Sequence, residues 1–154
     1  IELIKNYSIW FGLKYEIVYF YNVYGPGQIL NSHMSAVIGI FETQFKKKKS
    51  LTVVRPGNQK RDFTHVSDIV HGTYLAWKKG LNEEYMLGTK KNHSLVEVAK
   101  LFGKEVKIKY LPVRKGERFK SIIKDNKAKK LLGYTAKVKL KSYIKAFIKN
   151  NKNL

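Results

Sequence analysis

Apolar residues occur along the chain in short blocks whose spacing predicts alternating strands and helices. The run Tyr15–Tyr21 is apolar, aromatic and β-branched with little alternation, which is typical of a strand buried on both faces of a parallel sheet. Three further apolar blocks predict shorter strands: Leu51–Val54, Tyr85–Gly88 and Val106–Tyr110.

Between these blocks the apolar positions recur at helical spacing. The predicted helices are Ile1–Phe11, Ser35–Phe45, Ser67–Lys79, Ser94–Phe102, Asn126–Leu132 and Leu140–Lys149. We expect Ser67 to cap the third helix, and Ser94 with Glu97 to form a capping box at the fourth. Glycines at positions 12, 80 and 133 are expected to end three of the helices.

Strands that alternate with helices indicate an α/β fold with a parallel sheet. The strong strands are too few for a complete doubly wound sheet, and no glycine-rich strand-to-helix fingerprint for a dinucleotide occurs. The chain of 154 residues begins with Ile1, inside a predicted helix that lacks a preceding cap. We therefore expect an excerpt of a longer protein.

Composition narrows the functional class. The sequence has no cysteine, which rules out disulfides, zinc–thiolate sites and cysteine nucleophiles and favours a cytoplasmic location. The four histidines are dispersed, so no metal site is expected. No apolar run is long enough to span a bilayer, and no membrane partner is expected.

The net charge of +20 comes almost entirely from lysine. Such a field suits an anionic partner, but we favour the simpler interpretation that the lysines lie on solvated surfaces. Only four arginines occur: Arg55, Arg61, Arg114 and Arg118. Because arginine is the residue suited to bidentate phosphate recognition, the functional positive charge is expected to be sparse.

Three motifs carry candidate chemistry. The first begins inside the Tyr15–Tyr21 strand and reads Tyr19-Phe20-Tyr21-Asn22-Val23-Tyr24-Gly25-Pro26-Gly27-Gln28. Ligand crevices form at the carboxyl ends of parallel strands, and an amide such as that of Asn22 can donate to a phosphate and accept from a sugar hydroxyl. The alternative is that Phe20 and Tyr21 belong to the core and that Asn22 begins a turn.

The second motif, Gly57-Asn58-Gln59-Lys60-Arg61-Asp62-Phe63-Thr64-His65-Val66-Ser67-Asp68, is the most specific in the chain. The third, Pro112-Val113-Arg114-Lys115-Gly116-Glu117, precedes Asp125 and a helix that ends Leu-Gly-Tyr. We expect Asp62 to fix a loop and Asp68 to lie in the first turn of a helix, both as scaffold.

In this order the three motifs resemble the C-terminal half of the nucleotide-sugar epimerases and dehydratases of the extended short-chain dehydrogenase/reductase family. The resemblance covers Glu2 to about Lys149. It implies that Phe20 lies near the nicotinamide of NAD and that Tyr21 and Asn22 contact the substrate. It also implies that Arg61 and Arg114 clamp the diphosphate of a nucleotide-diphosphate sugar. Tyr19 stands where arginine is commoner in the family.

The family's redox machinery is missing from these residues. The resemblance places the catalytic Tyr-x-x-x-Lys pair just before Ile1 and the glycine-rich NAD motif further upstream, so no catalytic residue is assigned here. We expect the chain to be the substrate-binding half of an NAD-dependent epimerase similar to UDP-glucose 4-epimerase, and to be inactive alone. A 4,6-dehydratase or reductase of the same family is the alternative.

The resemblance also implies a division of the chain. Residues 1–24 and 61–88 are expected to complete a Rossmann-type sheet, and residues 25–60 and 89–154 to form a small α/β lobe over the nucleotide. The parent enzyme is expected to be a homodimer. Two hypotheses of another kind remain: a folded remnant without catalysis, and a basic module that binds nucleic acid through lysines. The second lacks a supporting motif, so no specific nucleic acid is expected.

Overall fold

The structure is a computed structural model that describes residues 1–30, 32, 34–117, 119, 123 and 125–151. Six helices occur in these ranges: α1 (Glu2–Phe11), α2 (Val37–Lys46), α3 (Val66–Lys79), α4 (Leu95–Lys100), α5 (Lys127–Leu132) and α6 (Leu140–Asn150). The strands are β1 (Ile17–Phe20), β2 (Val23–Tyr24), β3 (Leu51–Val54), β4 (Lys60–Asp62), β5 (Thr64–His65), β6 (Glu84–Leu87), β7 (Asn92–Ser94) and β8 (Ile108–Leu111).

The strands of the described residues form four pairs. Three are parallel: β1 with β6, β2 with β5 and β3 with β8. The fourth, β4 with β7, is antiparallel. Parallel strands joined through helices confirm the predicted α/β class.

Two hydrophobic clusters hold these elements together. The larger cluster joins α2, β3, α4 and α6, with Phe41, Leu51, Val98, Phe102 and Ile144 almost completely buried. The smaller cluster joins α3, β6 and α5, and it includes Tyr134 after α5. The predicted division into two lobes stays a prediction. It assigns α5 and Tyr134 to the second lobe, whereas here they pack against α3 and β6.

The helix ends agree closely with the prediction. Gly12, Gly80 and Gly133 adopt left-handed conformations directly after α1, α3 and α5. The capping box at Ser94 is present, with both of its hydrogen bonds. The cap of α3 was predicted wrongly: it is His65, whose imidazole Nδ1 accepts a hydrogen bond from the Ser67 amide at 3.2 Å.

The first strand is shorter and more exposed than expected. Regular pairing covers only Ile17–Phe20, and none of these residues is fully buried. The prediction that this strand is buried on both faces is therefore wrong for the described residues, because Ile17, Val18 and Tyr19 are only half-buried and Phe20 is 54% exposed. No helix in the described ranges combines the length and apolar character needed to cross a membrane.

Candidate functional site

The first and second motifs are joined directly by Asn22. This residue has a left-handed backbone (φ 35°), which asparagine tolerates better than most residues. Its side-chain Nδ2 donates to the Asp62 carbonyl at 2.9 Å, and its own carbonyl accepts from the Thr64 amide at 3.4 Å. The carboxyl end of β1 therefore lies beside the segment that begins with Arg61.

The Tyr24-Gly25-Pro26 turn packs against the start of α3. Gly25 has φ 133°, and a Cβ there would lie 2.9 Å from Val66 Cγ1 and 3.0 Å from His65 Nε2. Tyr24 is buried, and its ring meets that of His65 edge-on at 5.3 Å. Burial lowers the pKa of His65, and the charge of Asp68 opposes this shift only in part. Close packing at this turn requires glycine.

Both aspartates of the second motif act as scaffold, as expected. Asp62 is completely buried and accepts from the Thr89 amide and hydroxyl at 3.0 and 2.6 Å and from the Lys90 amide at 2.6 Å. Asp68 accepts from the amides of Lys137 and Val138, each at 3.0 Å. Backbone amides thus satisfy both carboxylates, and each carboxylate fixes a loop from a distant part of the chain.

An ion pair joins the second and third motifs. Arg61 Nη2 lies 2.6 Å from Glu117 Oε1, and only 16% and 19% of the two side chains are exposed. Arg61 Nη1 donates to the Lys60 carbonyl at 3.1 Å, and the Lys60 amide donates to the Phe119 carbonyl at 2.8 Å. The sequence identified Arg61 but not its partner; the acidic position of the third motif was the available signal.

Arg114 lies on the same loop as Glu117. The Glu117 amide donates to the Arg114 carbonyl at 3.3 Å, which closes a turn between them, and the Arg114 side chain is exposed. The structure therefore brings the loop that carries Arg114 to the guanidinium of Arg61. Arg118 lies outside the described residues.

The predicted cofactor contact lies at the end of β1. Phe20 pairs in register with Leu87 of β6, and 54% of its side chain is exposed. Tyr21 is half-buried in the next position. The preceding Tyr19 hydroxyl donates to Glu84 Oε2 at 2.6 Å, an interaction that the sequence did not reveal. The hydrogen bonds from Lys5 and from Tyr19 hold the pKa of Glu84 below its usual range.

A cavity of about 300 Å³ borders the turn between the first motif and α2. Its lining includes the turn residues Tyr24–Ile29, with Met34, Ala36 and Val66. Its size is at the lower end of small-molecule sites. Among the described residues, no group of three or more histidines or acids is placed to hold a metal ion.

Known proteins are similar to this chain in sequence and in structure. Residues 1–88 match the model of the NAD dependent epimerase/dehydratase family. The chain belongs to this family. The assignment confirms the family resemblance that the three motifs indicated. The family match covers residues 1–88, which is more than half of the chain.

Similar family members include a putative UDP-glucose 4-epimerase of Methanocaldococcus jannaschii, which is 33% identical over 99% of this chain and 50% of its own length. The chain thus spans about half the length of this relative. A solved UDP-glucose 4-epimerase of Thermotoga maritima with UDP-glucose matches 99% of the chain and 50% of its own, with TM-score 0.88 and 29% identity. A UDP-glucuronic acid 4-epimerase of Bacillus cereus with UDP-glucuronic acid and NAD matches 99% of this chain and 49% of its own chain, with TM-score 0.82 and 26% identity. The predicted fold class is confirmed by these structures.

Proposed function

We propose that this chain is the nucleotide-sugar-binding half of an NAD-dependent epimerase that acts on a UDP-sugar. The family match and the epimerases among its relatives support the reaction class. The observation that carries the proposal for this chain is the Arg61–Glu117 ion pair together with the Asn22–Asp62 hydrogen bond. These contacts bring three sequence-distant motifs to one place.

In this proposal Arg61 and Arg114 neutralise the diphosphate, and Asn22 and Tyr21 contact the sugar side of the substrate. An arginine fork suits this task because its donors are planar and permanently charged. The cavity beside the turn gives the sugar a bounded space. Each of these roles is a proposal drawn from the family resemblance and supported by the positions of the residues.

NAD would supply a reversible hydride acceptor for a carbon of the sugar. The half-exposed ring of Phe20, at the carboxyl end of a parallel strand, fits packing against a flat aromatic cofactor. We propose that the remaining NAD contacts and the tyrosine–lysine pair lie in the other half of the protein. This chain would then orient the sugar and hold its diphosphate, and would be inactive alone. A dehydratase or reductase of the same family remains the alternative.

Isothermal titration calorimetry tests the diphosphate clamp. Replacing Arg61 or Arg114 with alanine should weaken binding of UDP-glucose by roughly 10-fold or more, because a hydrogen bond to a charged group contributes about 1.5–3 kcal/mol. Arg55→Ala is the matched control: it removes the same charge from an exposed arginine stacked over Tyr110. Unchanged affinity in both test variants would refute the clamp.

A further inference from the structure

A buried carboxyl group lies behind the candidate site, in the middle of α2. Only 6% of Glu42 is exposed. Gln28 Nε2 donates to Glu42 Oε2 at 2.7 Å, and the Tyr143 hydroxyl of α6 hydrogen-bonds to the same carboxyl group. No ion pair joins Glu42 to a cation in the part of the chain that the structure describes. A buried carboxylate without a cation is costly, so its ionisation state needs an explanation.

Two unsatisfied acceptors lie on this same pair of side chains. Glu42 Oε1 and Gln28 Oε1 are both buried and have no hydrogen-bond partner among the described residues. Two acceptor oxygens cannot satisfy each other unless a proton lies between them. A proton on the carboxyl group would let Glu42 Oε1 donate to Gln28 Oε1 while Gln28 Nε2 donates to Glu42 Oε2. One proton would therefore satisfy both atoms.

We propose that Glu42 is protonated in the folded chain, forms a carboxylic acid–amide pair with Gln28, and is a positioning residue for the turn Tyr24–Gln28. The role toward ligand rests on the function proposed above, whereas the pair itself does not. Gln28 belongs to the first motif, directly after the Tyr-Gly-Pro-Gly turn, and its amide donates to the Gly25 carbonyl at 3.3 Å. Fixing its side chain thus fixes the end of the turn.

The packing of α2 shows why the pair controls this segment. A Cβ at Gly39 would lie 3.1 Å from the Ile29 carbonyl and 3.3 Å from Gln28 Oε1, so the helix backbone contacts the segment directly. Thr43 Oγ1 reaches the Leu30 carbonyl only at 3.5 Å. Among the residues that the structure describes, the Gln28–Glu42 bond is therefore the shorter of these two polar contacts between α2 and the segment 28–30.

The groups that face Glu42 favour the neutral form. Burial raises the pKa of Glu42, and the bonds from Tyr143 and Gln28 and the charge of Lys46 on the same helix oppose this shift only in part. Burial also raises the pKa of Tyr143, so this hydroxyl stays neutral. The centroid of the Tyr143 ring lies 5.0 Å from that of Tyr24 and 5.4 Å from that of His65. Tyr143 thus links the Glu42–Gln28 pair to the first and second motifs.

Carbon-13 NMR of glutamate carboxyl groups tests the protonation state without any ligand. The Glu42 signal is assigned by its loss in Glu42→Gln, and the exposed Glu105, assigned through Glu105→Gln, is the matched control. We expect the Glu42 carboxyl signal to keep its protonated position at a pH above the ordinary pKa of glutamate. A Glu42 signal that changes at the ordinary pKa of glutamate would overturn the proposal.

Hydrogen exchange and UDP binding test the positioning role. A glutamine at position 42 reproduces both hydrogen bonds without a proton, so Glu42→Gln should keep the backbone amide of Gln28, which donates to the Gly25 carbonyl, protected at every pH. The wild-type chain should lose this protection as the pH rises through the raised pKa of Glu42. Glu42→Ala should lose it throughout; if that variant does not fold, Gln28→Ala removes the same pair from the loop side.

UDP affinity should follow the same order at a pH where Glu42 is protonated, with Glu42→Gln within about twofold of wild type and Glu42→Ala weakened by roughly 10-fold. Equal protection in Glu42→Ala and wild type would overturn the positioning role. A wild-type chain that shows the protonated signal and the protected Gln28 amide but no UDP binding would refute the proposed function and leave the pair intact.

Discussion

At the scale of single residues, the buried acids of this site are satisfied by the backbone more than by cations. Asp62 receives two amides and a hydroxyl, and Asp68 receives two amides. Charge-assisted bonds to backbone amides are short and strong, and they satisfy the oxygens of a carboxylate without a partner charge. The lysines of this chain are therefore not needed to hold these acids.

Replacing Asp62 with asparagine should destabilise the chain by about 2–3 kcal/mol, because the new amide group would face donors and leave one unsatisfied. Urea unfolding at pH 7 measures the change. Glu105→Gln makes the same chemical change on an exposed residue and should alter the free energy of unfolding by less than about 0.5 kcal/mol. A similar effect in both variants would contradict the scaffold role of Asp62.

The two glycines of the first turn allow a matched test of close packing. Gly25 and Gly27 both have positive φ, but only at Gly25 would a Cβ meet neighbours within 4 Å. Gly27→Ala should cost about 1 kcal/mol of backbone strain. Gly25→Ala should cost at least about 1 kcal/mol more, because it adds overpacking against Val66 and His65. If thermal unfolding shows the same loss of stability in Gly25→Ala and Gly27→Ala, the turn can relax around the added methyl group.

At the scale of elements, the N-terminus of α4 depends on a reciprocal cap. Ser94 Oγ accepts from the Glu97 amide at 3.1 Å, and Glu97 Oε2 accepts from the Ser94 amide at 2.7 Å. This second bond holds the pKa of Glu97 below its usual range. Ser94→Ala should lower the free energy of unfolding by about 1 kcal/mol.

The pH dependence of this cap follows from the lowered pKa. Its stabilisation is present above the ordinary pKa of glutamate and is lost as the pH falls through the lower pKa of the folded state. The wild-type chain should therefore be more stable than Glu97→Gln at pH 7, and the two should converge in acid. Urea unfolding across this range measures the difference; a gap that persists in acid would exclude ionisation as its cause.

The elements that the sequence predicted well carry local signals. Glycine stops and the Ser94–Glu97 box act within one helical turn, so neighbouring residues suffice to identify them. The strands β2, β4, β5 and β7 have two or three residues each, which is too few for periodicity to define their bounds. The Arg61–Glu117 pair joins residues 56 positions apart, so only the family motif order indicated that their segments meet.

At the scale of the whole molecule, the net positive charge and the proposed site predict two different kinds of binding. The chain carries 31 basic residues against 11 acidic ones, whereas the diphosphate clamp uses only two arginines. A broad cationic surface attracts any polyanion through release of counterions, without reading sequence. A specific nucleotide-sugar site, in contrast, depends on a few aligned donors. Salt and a single substitution should therefore distinguish the two kinds of binding.

We expect random double-stranded DNA to bind this chain only at low salt. If six or more phosphates are neutralised, affinity should fall by about 10³-fold between 50 and 200 mM salt, whereas UDP-glucose affinity should fall by roughly 10-fold at most. Fluorescence anisotropy for DNA and calorimetry for UDP-glucose measure the two. Arg61→Ala should weaken only the sugar nucleotide, because it removes one of many cations from the DNA surface but half of the clamp. Tight DNA binding at 200 mM salt that UDP-glucose displaces would instead make the candidate site a nucleic-acid interface.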